Sequence, residues 1–129
     1  MIPREQMTFD MLIQLNQVNA AQYPMTSEEQ LMAKDRHIRL KYLRQMQELI
    51  APYMNSERET WFTQVTEAEA WLVNPLASVP MITAIAAARG TSLAELVSKI
   101  MENANLYRTA VGTLLGQQQA ELDALYNPV

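Results

Sequence analysis

Ser92-Leu93-Ala94-Glu95-Leu96-Val97-Ser98-Lys99-Ile100 is the stretch that decides the fold class. Ser92 and Glu95 form the S-x-x-E pattern in which a serine hydroxyl and a glutamate carboxylate satisfy free N–H groups at a helix start. No proline follows until Pro128, so one helix of roughly 33 residues, on the order of 50 Å long, is predicted from this point. Leu93, Val97, Ile100, Ala104, Tyr107, Val111 and Leu114 recur at the alternating four-three spacing of a coiled-coil seam. Leu96, Leu115, Leu122 and Leu125 widen or continue that face, and at Gln118 and Glu121 the seam turns polar. A buried Gln118 would fix register between helices; an exposed one would mean that the seam has opened by Gly116.

Upstream of this helix the chain reads as further helices separated by prolines. Met81 to Arg89 is a short alanine-rich helix stopped by Gly90 at a C-cap position. Asn74 to Met81 holds Pro75 and Pro80 and is the predicted hinge, dividing the chain into an N-terminal helical region, 1–74, and a C-terminal helical hairpin with a long helix, 75–129. Before the hinge, Ser56-Glu57-Arg58-Glu59 is a second S-x-x-E start. Trp61, Val65, Ala68 and Leu72 then share a face, with Phe62 beside it and Trp71 off it. A helix from Thr26 or Ser27 to Ile50 buries Leu31, Ile38, Tyr42, Met46 and Leu49, and a first helix runs from Thr8 to Gln22. The expected class is all-α: helical hairpins with a long C-terminal coiled-coil-like helix.

Composition excludes more functions than it names. The 129 residues include no cysteine, one histidine and three glycines, so a thiol nucleophile, a soft-metal cluster and a glycine-rich phosphate loop all lack their residues. No cofactor or metal is expected. A net charge of -4 has the wrong sign for a protein that gains affinity by neutralising phosphates, so nucleic acid is not the expected partner. No apolar run approaches the roughly 18–20 residues that span a bilayer, and Met1-Ile2-Pro3-Arg4-Glu5 does not open as a secretory signal. A soluble, cytoplasmically made protein without a membrane partner is expected.

Few residues could carry chemistry. His37 has no carboxylate or second histidine one turn away, and no serine lies in a G-x-S-x-G elbow. Glu67 and Glu69 lie on different sides of their helix, as solvated charges do. An enzyme is not expected. Lys34, Arg36, Arg39, Lys41 and Arg44 concentrate basic charge but spread around the helical wheel, which reads as ion pairing before it reads as an anion patch. Ala84 to Leu96 has the outline of a helix-turn-helix, the DNA-binding alternative, yet its second helix begins Thr91-Ser92-Leu93-Ala94-Glu95 with no base before Lys99. Gly112-x-x-x-Gly116 marks either the close approach of another helix or a locally relaxed one.

From Glu67 to Leu125 the order is Glu69-Ala70-Trp71-Leu72, a proline-bounded spacer, Pro80-Met81-Ile82 with an alanine-rich turn, Arg89-Gly90, a capped Leu-x-x-Leu-Val helix, Asn103-Ala104 with Tyr107, and Gly116 followed by Gln119. This resembles the C-terminal helical segment of small virion and tail-fibre assembly proteins of tailed bacteriophages. The resemblance implies a non-enzymatic tail-fibre assembly chaperone or virion structural adaptor that grips a trimeric fibre protein in the host cytoplasm and can stay in the virion tail. A generic coiled-coil oligomerisation protein is the other alternative. Trp71, Leu93, Val97, Ile100, Ala104, Tyr107, Val111, Leu114 and Gln118 are the residues expected to face a fibre or virion partner or a second copy in a homo-oligomer.

Overall fold

The computed structural model describes residues 2–53 and 55–128, with the backbone alone at 55 and 56. After a short 3-10 turn at Arg4–Gln6 come five α-helices: α1 Phe9–Val18, α2 Ser27–Ile50, α3 Asn55–Val73, α4 Pro80–Arg89 and α5 Leu93–Tyr126. No strand occurs among the described residues, and the protein is all-α with a long C-terminal helix.

Local chemistry explains where these helices begin and end. Thr8 Oγ1 accepts the Met11 N–H at 3.1 Å and caps α1. That helix stops at Val18, four residues short of expectation, because Asn19 Oδ1 accepts the Gln22 N–H and turns the chain locally. Thr26 and Glu29 form a reciprocal box at α2: the Thr26 hydroxyl accepts the Glu29 N–H, and the Glu29 carboxylate accepts the Thr26 N–H. Helix α3 already begins at Asn55, which places Ser56 inside its first turn; the Ser56 side chain lies outside the described residues. Pro80 opens α4 at a position where its missing N–H costs nothing, and Gly90 closes it at φ 69°. There the Thr91 N–H reaches the Ala86 carbonyl and the Gly90 N–H the Ala87 carbonyl, the two bonds of a Schellman cap. Ser92 Oγ then caps α5 by accepting the Glu95 N–H, while the Glu95 carboxylate takes its return bond from the Thr91 hydroxyl at 2.7 Å.

Contacts group the chain differently from a division at Asn74–Met81. One compact unit is Met1–Leu43 with Gln117–Val129, and the other is Arg44–Gly116. The proline-bearing link lies within the second unit and is pinned there. Asn74 Oδ1 accepts the Leu76 N–H, and the Glu67 carboxylate accepts the Met81 N–H at 2.9 Å, satisfying a free donor at the start of α4. Glu67 is thus a cap supplied from another helix, while Glu69 pairs with Arg108.

The core of the Arg44–Gly116 unit joins Ala68 of α3, Val79, Ile82 and Ala86 at and in α4, and Leu96, Val97 and Ile100 of α5. Ile82 and Val97 are the largest fully buried side chains, each contributing about 1.5–3 kcal/mol of burial. In the other unit Leu12 and Tyr42 are the buried residues. No helix among the described residues is long and apolar enough to cross a membrane.

Candidate functional site

The opening turns of the predicted seam are consumed by the protein's own core. Leu96, Val97 and Ile100 are buried against α3 and α4, and Leu93 packs on the same cluster. Trp71 joins it as well, whereas Leu72, placed on the buried face by simple periodicity, is 57% exposed. The difference is one residue of helix rotation: α4 packs beside the end of α3 and draws Trp71 inward, since the larger ring buries more area. The later seam residues Ala104, Val111 and Leu114 are half-buried. Tyr107 is exposed on one side and stands edge-on to Trp61, with ring centroids 5.8 Å apart.

Beyond this core the Arg44–Gly116 unit opens an apolar groove of about 540 Å³. Leu49 and Tyr53 line it from the end of α2 and the turn after it, Trp61, Phe62 and Val65 from α3, and Ala104, Leu106 and Tyr107 from α5. Tyr53 packs edge-on to Trp61 at 4.8 Å, so three aromatic rings form one wall. Phe62 is 81% exposed and Leu106 64% exposed, values that a side chain reaches only when its helix face has no cover. Two polar side chains of the lining are held within the unit: Arg108 Nη2 lies 2.8 Å from Glu69 Oε1, and Gln64 Nε2 donates to Thr60 Oγ1 at 3.0 Å. The groove offers apolar and aromatic surface, and its charged lining side chain, Arg108, is paired with Glu69. Phe62, Leu106 and Tyr53 were not legible as site residues, because Phe62 and Leu106 each lie one position off a regular apolar stripe and Tyr53 lies beyond a helix end, while Leu49, read as part of the buried stripe of α2, lines the groove from the end of that helix.

Three of the five clustered basic residues are held in ion pairs within the other unit. Arg36 reaches Asp10 at 2.8 Å, Arg39 reaches Asp35 at 2.7 Å, and Lys41 reaches Glu121 at 2.7 Å. Asp35 also accepts the Tyr126 hydroxyl, so the last turns of α5 are tied to α2 at two levels. The Arg39 guanidinium holds the Asp35 carboxyl below its ordinary range, and the Lys41 ammonium does the same for Glu121. Glu121 Oε2 is shut from solvent and has no hydrogen-bond partner among the described residues. A wider hollow of about 730 Å³ is bordered by Lys34, Arg36 and His37, with Arg36 already paired and His37 exposed. Gln118 is half-buried. Among the described residues no group of three His, Asp or Glu could hold a metal.

The helix-turn-helix outline also acquires a definite geometry. With Leu96, Val97 and Ile100 facing the core, the exposed residues on the first turns of α5 are Ala94, Glu95, Ser98 and Lys99. That surface carries one carboxylate for one ammonium and supplies no cationic stripe for a duplex. At Gly112 and Gly116, a Cβ would meet nothing within 4 Å, so no neighbour within the chain requires the glycines. Compared with family models, curated proteins and solved structures, the chain matches none.

Proposed function

We propose that this chain is a non-enzymatic helical adaptor that takes an apolar face of another protein into the groove formed by Trp61, Phe62, Leu106 and Tyr107. The observation that carries the reading is the exposure of Phe62 and Leu106 on an aromatic-walled groove whose lining cation, Arg108, is already paired, in a unit that has its own core. Such a surface stays in water at a cost set by its apolar area, and covering it is the favourable term in association. The narrower form of this proposal follows the resemblance of the C-terminal half: the partner is a fibre protein of a tailed bacteriophage, and the chain acts as its assembly chaperone or structural adaptor in the host cytoplasm or the virion tail.

Co-expression with a fibre protein encoded beside this chain tests the proposal. The expected result is soluble fibre trimer that carries the chain along, and loss of both when Phe62→Asp is introduced. Fibre that trimerises equally well without the chain would remove the chaperone role. Fibre binding that ignores Phe62→Asp would remove the groove.

A further inference from the structure

We infer that the last turns of α5, Gln117–Tyr126, form a strap that detaches from α2 as one piece, with the helix breaking at Gly116 while its first turns stay packed on α3 and α4. Burial along this one helix is uneven. Leu96, Val97 and Ile100 are buried in the core of the Arg44–Gly116 unit, and no described residue of α5 beyond Ile100 is buried. From Gln117 to Pro128 the inward side is Gln118, Glu121, Leu122 and Leu125, each only half-buried, and every other residue is exposed. Side chains that stay half in water when docked gain a fraction of the burial that holds Val97, which puts this segment at the low-stability end of the molecule.

A change of neighbours places the break. Gln117–Val129 packs with Met1–Leu43, and α5 up to Gly116 belongs to the other unit. Gly116 is the last residue before that change, and Gly112 stands one turn earlier. A Cβ at either would meet nothing within 4 Å, so neither glycine makes room for another helix of the chain. What glycine does at such a position is weaken the helix, by about fivefold in equilibrium constant relative to alanine. Once detached, Gln117–Tyr126 is shorter than the roughly 12–15 residues that an isolated helix needs, and it unwinds.

The ties that keep the strap down are polar. Lys41 Nζ donates to Glu121 Oε1 at 2.7 Å, with both side chains more than a third exposed, and the Tyr126 hydroxyl donates to Asp35. Such pairs hold weakly, because water competes for both partners. The docked state also carries a cost: Glu121 Oε2 is shut from solvent without a hydrogen-bond partner among the described residues, and detachment returns it to water. When the strap leaves, Ala124 and Leu125 withdraw from the hollow that they border with Ile13 of α1 and Ile38 of α2. The apolar side of that hollow then opens to solvent, while the core shared by α3, α4 and the start of α5 is undisturbed.

Amide exchange resolved by NMR tests the inference on the full chain. The expected pattern is one shared protection factor from Gln118 to Leu125, a step at Gly116, and protection on the order of a hundredfold or more higher at Val97 and Ile100. Gly116→Ala is expected to raise the strap's protection about fivefold, and Lys41→Met and Tyr126→Phe each to lower it about twofold to tenfold. Ser98→Ala, at an exposed position on the first turns of α5, is expected to leave it unchanged. Protection retained at Val97 and Ile100 in each variant shows that the fold is intact. A smooth decline along α5 towards Tyr126, with no step at Gly116, would mean ordinary fraying of a helix end and overturn the inference. Equal protection on both sides of Gly116, or a strap whose protection ignores Gly116→Ala, would overturn it as well. So would a response to Ser98→Ala as large as that to Gly116→Ala.

Discussion

In the Arg44–Gly116 unit seven buried side chains from α3, α4 and α5 meet in one cluster, whereas in the Met1–Leu43 and Gln117–Val129 unit only Leu12 and Tyr42 are buried among the described residues. The second of these is instead laced by Arg4–Glu29, Arg36–Asp10, Arg39–Asp35 and Lys41–Glu121. Both are made of α-helices. The difference teaches that helix periodicity does not say which force holds a helix down. Burial is insensitive to salt and pH but punishes lost volume; exposed ion pairs tolerate lost volume but answer to protons and counterions.

The largest effect expected from this contrast is a cavity in the packed unit. Ile82→Ala removes a fully buried side chain and is expected to cost about 2–5 kcal/mol, read by urea unfolding followed through tryptophan fluorescence. Both tryptophans, Trp61 and Trp71, lie in this unit, so the signal reports it selectively. A loss below about 1 kcal/mol would mean that the cluster is not what holds the unit together.

Glycine substitutions give a smaller effect whose sign depends on place. Gly90 sits at φ 69°, so Gly90→Ala is expected to destabilise by about 1–2 kcal/mol although no atom obstructs the new methyl group. At Gly112 and Gly116, inside α5 with open space around them, alanine is expected to stabilise by up to about 1 kcal/mol each. Thermal melts of the three variants check this. A destabilising Gly112→Ala or Gly116→Ala would show that another chain packs closely on that face, which would sharpen the account of association.

The smallest effect at neutral pH, and the one that separates the units most directly, is acid sensitivity. Asp35 and Glu121 have carboxyl pKa values lowered by Arg39 and Lys41, and Glu29 by the Thr26 N–H and then Arg4. A lowered folded-state pKa contributes stability that is present above the ordinary values, 4.5 for glutamate and 3.8 for aspartate, and is lost as pH falls through the folded values. Helical circular dichroism is therefore expected to decline below about pH 4.5 before tryptophan emission shifts, and added salt is expected to widen the gap. Coincident transitions would show that the two units unfold as one.

Much of the helical layout was legible along the chain. Thr26, Ser92 and Gly90 act where their types and spacing place them, since capping is a bargain among residues within four positions of one another. Of the apolar stripe Leu31, Ile38, Tyr42, Met46 and Leu49, Tyr42 is buried and the others are half-buried. The groove was much less legible. Trp71 and Leu72 are adjacent and both apolar, and only the position of α4 decides which is buried. The same holds for Val97 and Ile100, which a four-three repeat assigns to a partner and the fold assigns to α3 and α4.

Sequence by itself determined that this chain is helical, where most helices start and stop, and that it lacks the cysteine, histidine clusters and glycine loops of several common chemistries. These are properties of composition and of neighbours within one or two turns, and they need no knowledge of what lies across the fold. Tertiary structure alone decided that Glu67 caps α4, that the basic residues of α2 meet Asp10 and Glu121, and that Phe62 and Leu106 border an open groove. Each depends on residues far apart in the chain, where a side chain's burial is set by the helix that arrives opposite it, and helical spacing carries no record of that arrival.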